Sequence, residues 1–248
     1  AKLDRFIRVL HERHGALSLH EGAPRYAFMH GNWALDNSHP HGRWCGVDDE
    51  ISVLRDTGCY ADYTLPSAPD GAQTSTVNSI YYAKDDPTRP KSHDTGVAVV
   101  AGGRETGDLM MIQGPLGLNW RSRKLGLWPR IENGDMPDDT IPMAQRVASW
   151  VEQHIHVEGR PEWVFIKVHT HGCLDRFMEH LFSSAMNQMH SALQAQCNDG
   201  RSRLLHYVTA REMYNIVKAA EAGRSGNPND YRDFVLPRPR ASGRSPAA

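Results

Sequence analysis

The chain has 248 residues, and its 28 lysines and arginines nearly balance its 29 aspartates and glutamates, which gives a formal net charge of −1. This length suits one large α/β domain or two small ones. The balanced charge gives no case for a nucleic-acid or membrane partner. No apolar run approaches the roughly 20 residues that span a bilayer. Fourteen histidines are an unusual number for this length, and histidine serves metal binding and proton transfer.

The four cysteines, at positions 45, 59, 173 and 197, form no CxxC pair. Their wide spacing argues against a zinc ribbon and a disulfide scaffold, and it suits a reducing compartment, so we expect a cytoplasmic protein. The sequence begins Ala-Lys-Leu-Asp, without methionine and already inside a helical pattern. This start predicts that the true N-terminus is missing from the chain.

The first elements are a helix and a strand that ends in histidine. Apolar residues recur at helical spacing over residues 3–10 and predict one buried helix face. Residues 25–30 predict the first strand, in which two aromatic residues and then His30 share one parity. Because His30 stands at the carboxyl end of this strand, it is a candidate for ligand contact.

Residues 31–46 form a loop rich in Asn, Asp, His, Arg and Trp, the types that recognise sugars and polar ligands. Glycines, a proline and short polar residues exclude regular structure here. Asn32, Trp33, Asp36 and Arg43 are therefore candidate substrate-binding residues. The alternative is an ordinary capped surface loop, although two tryptophans argue against it because exposed Trp is costly without a purpose.

A helix over residues 47–54 follows, and the acids at positions 48–50 are interpreted as partners of its dipole. The second predicted strand, 60–65, carries Asp62 and Thr64 on one face. Residues 66–108 lack helical periodicity, and so long an irregular insertion is usually functional or disordered. Its aromatic and proline content favours an ordered segment, with short strands at 79–83 and 97–101.

Residues 91–96 of this insertion have two interpretations. The His93–Asp94 pair, next to Lys91, would orient a general acid or base. Alternatively, Asp94 caps the backbone of a turn. The third strand, 109–113, ends in Gln113, and after a Trp- and Arg-rich loop Pro142 opens another helix.

The most informative stretch runs from residue 162 to residue 172. Val164, Ile166 and Val168 share one parity, and the other parity places Lys167, His169 and His171 after two aromatic residues. This pattern predicts a buried strand, and the long helix expected over 174–193 follows it. Ligands gather at such strand ends in α/β proteins. The alternative is a solvated edge strand with chance histidines.

The last predicted elements are a strand at 204–208 and a helix that begins with the capping box of Thr209 and Glu212. Beyond residue 223 Gly, Pro, Ser and Arg dominate, so we expect a domain over 1–223 and a disordered tail over 224–248. Five strands that mostly alternate with helices predict a largely parallel α/β fold. If the strands close into a barrel, their polar end residues converge at one rim.

The assembled strings resemble the NodB-type polysaccharide deacetylase superfamily, and more closely a bacterial group of uncharacterised proteins within it. The strings that carry the resemblance lie at 30–38, 42–47, 58–69, 78–83, 91–96 and 208–214. The resemblance implies an irregular (β/α) barrel. The superfamily's Thr-Phe-Asp-Asp-Gly motif and His-x-x-x-His metal pair are absent and would lie upstream of residue 1, so the barrel is expected to lack its N-terminal strands in this chain.

The resemblance implies a metal-dependent hydrolase that deacetylates N- or O-acetylated carbohydrates with a divalent ion, zinc by preference. The superfamily's general acid is a histidine at the end of a late strand, which maps to His169 or His171, although Lys167 replaces the usual apolar residue. We expect His171 to donate the proton and His169 to bind the metal or orient the site. The residues expected to bind the substrate are His30, Asn32, Trp33, Asp36, Arg43, Asp62, Lys91, His93, Asp94, Gln113 and Lys167.

Two other functions are open. A non-catalytic relative would keep the aromatic and polar rim and bind carbohydrate without hydrolysis. A different metal-dependent hydrolase could use the same barrel. Metal content separates the two hydrolases from the binding protein.

Overall fold

A computed structural model describes residues 2–136, 143–170 and 174–239. Its main feature is a six-stranded mixed sheet with the strand order β1-β2-β3-β6-β4-β5. The strands of this sheet are β1 (Ser18–His20), β2 (Ala23–Phe28), β3 (Cys59–Asp62), β4 (Ile80–Ala83), β5 (Val97–Ala98) and β6 (Leu109–Ile112). A separate antiparallel hairpin consists of β7 (Gly117–Lys124) and β8 (Trp128–Glu132).

The α-helices are α1 (Lys2–Arg8), α2 (Glu50–Asp56), α3 (Met143–Glu152), α4 (Asp175–Leu181), α5 (Ser184–Cys197) and α6 (Ala210–Glu221). The single helix predicted over 174–193 is thus two helices, which meet at Phe182 and Ser183. The capping box predicted at Thr209 is confirmed, because its side chain accepts from the Glu212 N–H and the Glu212 carboxylate accepts from the Thr209 N–H. No helix among the described residues is long and apolar enough to cross a membrane.

The sheet is parallel only in its middle. β2, β3 and β6 run parallel, so their carboxyl ends lie at one edge, which we call the rim. β4 runs antiparallel to β6. The chain leaves β3 at the rim and enters β4 at the rim through an irregular loop, because no helix carries it back to the amino-terminal ends of the strands first. The described strands form an open sheet with β1 and β5 at its edges, and no barrel is closed. The irregular barrel therefore stays a prediction.

Alternation along the strands divides the apolar residues between two cores. Ile80 and Tyr82 of β4 pack with α6, whereas Tyr81 and Ala83 of the same strand pack in a second cluster with α2. Successive side chains of a strand point to opposite faces, so the sheet lies between these two cores. A third cluster joins α3 to α5 around the fully buried Trp150.

Residues 163–169 are extended but lie outside the regular sheet, which corrects the predicted strand. Their alternation is as predicted, because Phe165 enters the core beside α6 while Ile166 and Val168 pack against the α3–α5 cluster. The Phe165 N–H donates to the Ile155 carbonyl, and His169 forms an isolated bridge with Asp135. The segment therefore packs against two hydrophobic clusters, one on each side.

Two other sequence predictions differ from the structure. Residues 204–208 form no strand, because Leu204 is exposed and the Leu205 N–H bonds to the Asn198 side chain. Residues 224–239 pack on α6 instead of forming a tail. Leu236 is 2% exposed, and the Asn215 side chain bonds to the backbone of residues 232, 235 and 236. The remainder of the expected tail, 240–248, lies outside the described residues.

Candidate functional site

His30 follows β2 and reaches the rim. Its backbone N–H donates to the Thr64 hydroxyl at 2.7 Å, and Thr64 lies just beyond β3. Its ring Nδ1 contacts the Gly31 carbonyl, which can only accept, so Nδ1 carries the hydrogen and Nε2 presents its lone pair toward Glu50. The ends of two neighbouring parallel strands are therefore linked through a histidine whose ring orientation is fixed.

The loop after His30 folds back onto the first turn of α2. Asp36 adopts the left-handed conformation, with φ at 53°, and its side chain is fully buried. The Glu50 carboxylate accepts from the Asp36 N–H at 2.7 Å and from the Cys45 thiol at 3.2 Å. Asn37 braces the same turn, because its side chain donates to Asp48 at 2.7 Å. Glu50 was interpreted as a helix-dipole partner, but its carboxylate organises this loop.

His30, Cys45 and Glu50 form a group suited to a metal ion. One donor atom from each lies within 4.8 Å of the others, and Nε2 of His30 is 3.8 Å from Oε1 of Glu50. Two atoms with lone pairs that face each other favour a proton or a cation between them. Imidazole nitrogen, thiolate sulfur and carboxylate oxygen are zinc ligands. The donor set therefore fits a divalent ion of that kind.

The Cys45 thiol is the member of this group that has to change its protonation to bind a metal. Burial, together with the neighbouring Glu50 carboxylate, raises the pKa of the thiol, so it keeps its proton at neutral pH. A metal ion that binds here displaces that proton, which makes its affinity depend on pH.

Asp62 and Lys167 are a buried acid and a buried base beneath the rim, and the charge of each affects the pKa of the other. Asp62 is 1% exposed and accepts from both the N–H and the hydroxyl of Thr64 at 2.8 Å. Burial raises the pKa of its carboxyl group to about 6, although the Thr64 bonds and the charges of His93 and Lys167 oppose the rise. Burial lowers the pKa of the Lys167 ammonium to about 8, and the Asp62 charge acts in the opposite direction. Both pKa values thus move toward 7, and pKa shifts of this kind are characteristic of functional sites.

His93 lies beside Asp36 in the interior. Its Nδ1 is 3.8 Å from Oδ2 of Asp36, and both side chains are fully buried. The Ser92 N–H donates to the same carboxylate oxygen at 2.6 Å. Both ring nitrogens of His93 and Oδ1 of Asp36 have no hydrogen-bond partner among the described residues. Buried polar atoms are normally paired, so this dyad is a second functional candidate.

The 91–94 loop packs against Asp36, and its polar residues do not form the His93–Asp94 pair of the first interpretation. The partner of His93 is Asp36 and not Asp94, whose carboxylate accepts from the Ser75 N–H at 2.9 Å, so the capping interpretation of Asp94 is confirmed. The Lys91 ammonium donates to the Gln73 carbonyl at 2.6 Å. These contacts hold the loop in place.

Three of the expected substrate-binding residues lie on the loop after His30 with exposed or partly exposed side chains, whereas Gln113, like Asp36, Asp62, His93 and Lys167, is internal. Asn32 and Arg43 are exposed and Trp33 is partly exposed, on the loop that links His30 to Cys45. Gln113 is buried, where its amide donates to Thr76 and accepts from the Ser79 N–H. Gln113 thus braces the insertion and does not face a ligand.

His169 lies two residues beyond Lys167. Its N–H donates to the Gly134 carbonyl at 3.1 Å, and its carbonyl accepts from the Met136 N–H at 2.9 Å. His171 lies outside the described residues. The division of tasks between these two histidines stays a prediction.

Sequence reasoning missed Cys45 and Glu50. Neither belongs to a recognisable spacing motif, and Glu50 fits a local helix-start pattern that hides its contact with the loop. The remaining signal was their position, with Cys45 near the end of the loop that follows His30 and Glu50 just beyond it. That position brings them to His30 only because the loop folds back. Searches against family models, curated proteins and solved structures returned no match for this chain. The chemistry of the site therefore rests on its own geometry.

Proposed function

We propose that this protein is a metal-dependent hydrolase that removes acetyl groups from N- or O-acetylated carbohydrates, with its active site at the rim. The observation that carries the proposal is a link between two polar groups. The backbone N–H of His30, which belongs to the His30–Cys45–Glu50 donor group, donates to the Thr64 hydroxyl, and that hydroxyl donates to Asp62 of the buried Asp62–Lys167 pair. The resemblance of several strings in the sequence to NodB-type deacetylases supports the same reaction class.

His30, Cys45 and Glu50 would hold the metal ion. A bound divalent ion polarises the acetyl carbonyl and lowers the pKa of water. The hydrogen bond from His30 Nδ1 to Gly31 keeps Nε2 available as a ligand, which is the usual role of a second contact on a metal-binding histidine.

The buried pair supplies proton transfer and charge. Asp62 is ionised at neutral pH but its pKa of about 6 lets it accept a proton more readily than an ordinary aspartate. Lys167 remains charged below pH of about 8 and favours the ionised form of Asp62. His169 and His171 follow along the chain, and we assign them the orienting and proton-donating tasks.

The side chains of the loop after His30 suit a sugar. Trp33 and Trp44 belong to the loop that links His30 to Cys45, and Trp44 is 61% exposed. Asn32 and Arg43 add exposed hydrogen-bonding groups. A polar ligand with apolar faces pairs well with this combination of aromatic and polar side chains.

The test is to load the purified protein with zinc and measure bound metal and acetate release from acetylated chitin and xylan oligosaccharides. Glu50→Gln should lower metal affinity by roughly 100-fold or more, since loss of even an outer-shell partner of a metal ligand costs about 10- to 100-fold. Asp62→Asn should retain the metal and lower turnover by ~10²–10⁴, the usual effect of losing general acid–base catalysis. The exposed Glu179→Gln is the matched control and should change neither quantity.

A non-catalytic carbohydrate-binding protein is the second candidate. The observation that favours it is the burial of Asp62, which is 1% exposed and therefore separated from a ligand at the surface, whereas Asn32, Arg43 and Trp44 are exposed. Oligosaccharide binding without acetate release, and without a stoichiometric metal ion, would select this function. Metal-dependent hydrolysis of other esters or amides, with no activity on acetylated sugars, would retain the site and reject the substrate class.

A further inference from the structure

The β7–β8 hairpin has an exposed apolar tip. Leu125 is 93% exposed, and Leu127 and Trp128 are each 70% exposed. Trp120, on the preceding strand, is 57% exposed. Isolated apolar residues on a surface are ordinary, but three large ones within four consecutive positions form a patch, and such patches mark interaction sites.

The hairpin holds this tip away from the core by a defined geometry. Leu125 and Gly126 both have positive φ, at 52° and 71°, as in the type I′ turn that matches the twist of paired strands. The base is anchored, since Asn119 and Glu132 are buried and the Arg121 guanidinium donates to the Glu152 carboxylate on α3. The hairpin is therefore anchored at its base, and its tip projects into solvent.

Basic residues surround the tip. The hairpin contains four cations, Arg121, Arg123, Lys124 and Arg130, and its single acid, Glu132, is buried against Arg146. Arg121 is paired with Glu152, whereas the other three cations form no ion pair within the described part of the chain.

Two of these cations lie next to the exposed tryptophans. The Arg123 guanidinium lies 5.7 Å from the centre of the Trp120 ring, and Lys124 is paired with Trp128 across the strands. A local excess of positive charge thus accompanies the apolar tip, in a chain whose net charge is −1.

We propose that this hairpin docks on an anionic lipid bilayer, with Leu125, Leu127 and Trp128 in the headgroup–acyl boundary and the cations on lipid phosphates. Tryptophan favours this boundary, and each Lys or Arg near an anionic surface adds attraction. An oligosaccharide would use the aromatic rings but would leave the two most exposed leucines without a partner. A second copy of the chain would bring the two sets of unpaired cations together. The docking is interfacial and needs no membrane-spanning helix.

The experiment measures flotation of the full chain with vesicles of phosphatidylcholine alone and of an equal mixture with phosphatidylglycerol. We expect binding to the mixed vesicles that weakens at high salt, and a blue shift of tryptophan emission that Trp128→Phe reduces. Replacing both Arg123 and Lys124 by Gln should weaken binding about 25-fold, because each cation contributes about fivefold. Replacing both Leu125 and Leu127 by Ser should weaken it by roughly tenfold or more.

Leu204→Ser is the matched control, because Leu204 is also exposed, at 60%, but lies outside the hairpin. It should bind mixed vesicles as the unsubstituted protein does. Thermal melting confirms that each variant is folded before its binding is compared. Absence of binding to the mixed vesicles overturns the proposal, as does equal, salt-independent binding to both vesicle types. Hairpin-dependent dimerisation, or hairpin-dependent binding of RNA or oligosaccharide without vesicle binding, also overturns it.

Discussion

At the scale of residues, Asp62 and Lys167 show how burial changes protonation. Asp62 keeps two hydrogen bonds from Thr64, and the Lys167 ammonium donates to the Tyr63 carbonyl at 2.9 Å. These contacts reduce the cost of burying the two charges but do not abolish it, because desolvation is the largest cause of both pKa shifts. A pair of this kind is weak evidence for stability and better evidence for use in a site.

The raised pKa of Asp62 predicts a specific dependence of stability on pH. The folded protein holds this proton more tightly than the unfolded chain does, so the carboxyl group favours the folded state below its ordinary pKa of 3.8. That advantage is lost as the pH rises through about 6. The loss amounts to about 3 kcal/mol, since one pKa unit corresponds to ~1.4 kcal/mol.

Asp62→Asn should remove this dependence, and urea unfolding of both proteins from pH 4 to pH 8 measures it. As the pH rises across that window, the free energy of unfolding of the unsubstituted protein should fall relative to that of the variant. Glu179→Gln, at an exposed position of α4, should reproduce the profile of the unsubstituted protein. Parallel profiles for Asp62→Asn and the unsubstituted protein would show that this carboxyl group titrates normally.

At the scale of elements, one buried salt bridge joins the hairpin to α3. Glu132 at the end of β8 accepts from Arg146 Nε at 2.9 Å, from Trp150 Nε1 at 2.8 Å and from the Gly134 N–H at 3.1 Å. The turn that begins at Gly134 is the one that pairs with His169. Glu132 therefore supports both the base of the hairpin and the segment that carries the candidate histidine.

Glu132→Ala should destabilise the protein by about 3–5 kcal/mol, because it leaves the Arg146 charge and the Trp150 N–H buried without an acceptor. The double variant Glu132→Leu/Arg146→Met should cost less than the single change, since no unpaired charge remains. Chemical denaturation gives both values. Glu152→Ala breaks the exposed pair with Arg121 between β7 and α3 and should have little effect. Similar losses for the buried and the exposed pair would contradict this account.

The elements that the sequence predicted are those with a local physical signal. β2, β3 and β6 alternate or are continuously apolar, and α6 begins with a capping box, so each was located to within a few residues. The hairpin was predicted as an irregular loop, because its outward residues are tryptophan, leucine and arginine and its turn is Leu-Gly instead of a commoner turn pair. Its positive charge was hidden by the balanced composition of the whole chain.

The site divides in the same way. His30, Asp62 and Lys167 were predicted because each stands at or near the end of an extended segment, and strand ends collect at one edge. Cys45 and Glu50 could not be predicted, since they reach His30 only through left-handed backbone at Asp36 and neighbouring loop residues. The conformation of the same loop also decides the partner of His93. The sequence suggested the adjacent Asp94, whereas the structure pairs His93 with Asp36.

At the scale of the whole molecule, the C-terminal segment completes the core beside α6. Leu236 belongs to the same cluster as Ile216 and Val217 of that helix. The Asn215 side chain, which is fully buried, has its amide and carbonyl groups bonded to the backbone of residues 232–236. The sequence predicted a domain boundary at residue 223 from composition alone. Glycine, proline and arginine dominate the segment after that residue, and they outnumber the few apolar residues that pack against α6.

A chain that ends at residue 223 should therefore be much less stable than one that ends at residue 239, which retains the contacts of the C-terminal segment with α6. The shorter chain exposes the α6 face and leaves Asn215 buried without its partners, or hydrated at the expense of the core around it. Leu236→Ala in the full chain isolates the apolar part and should cost about 2–5 kcal/mol, as for other buried leucines. Thermal and urea unfolding of the three proteins give the comparison. If the chain ending at residue 223 melts at the same temperature as the chain ending at residue 239, the segment contributes nothing and the domain does end at residue 223.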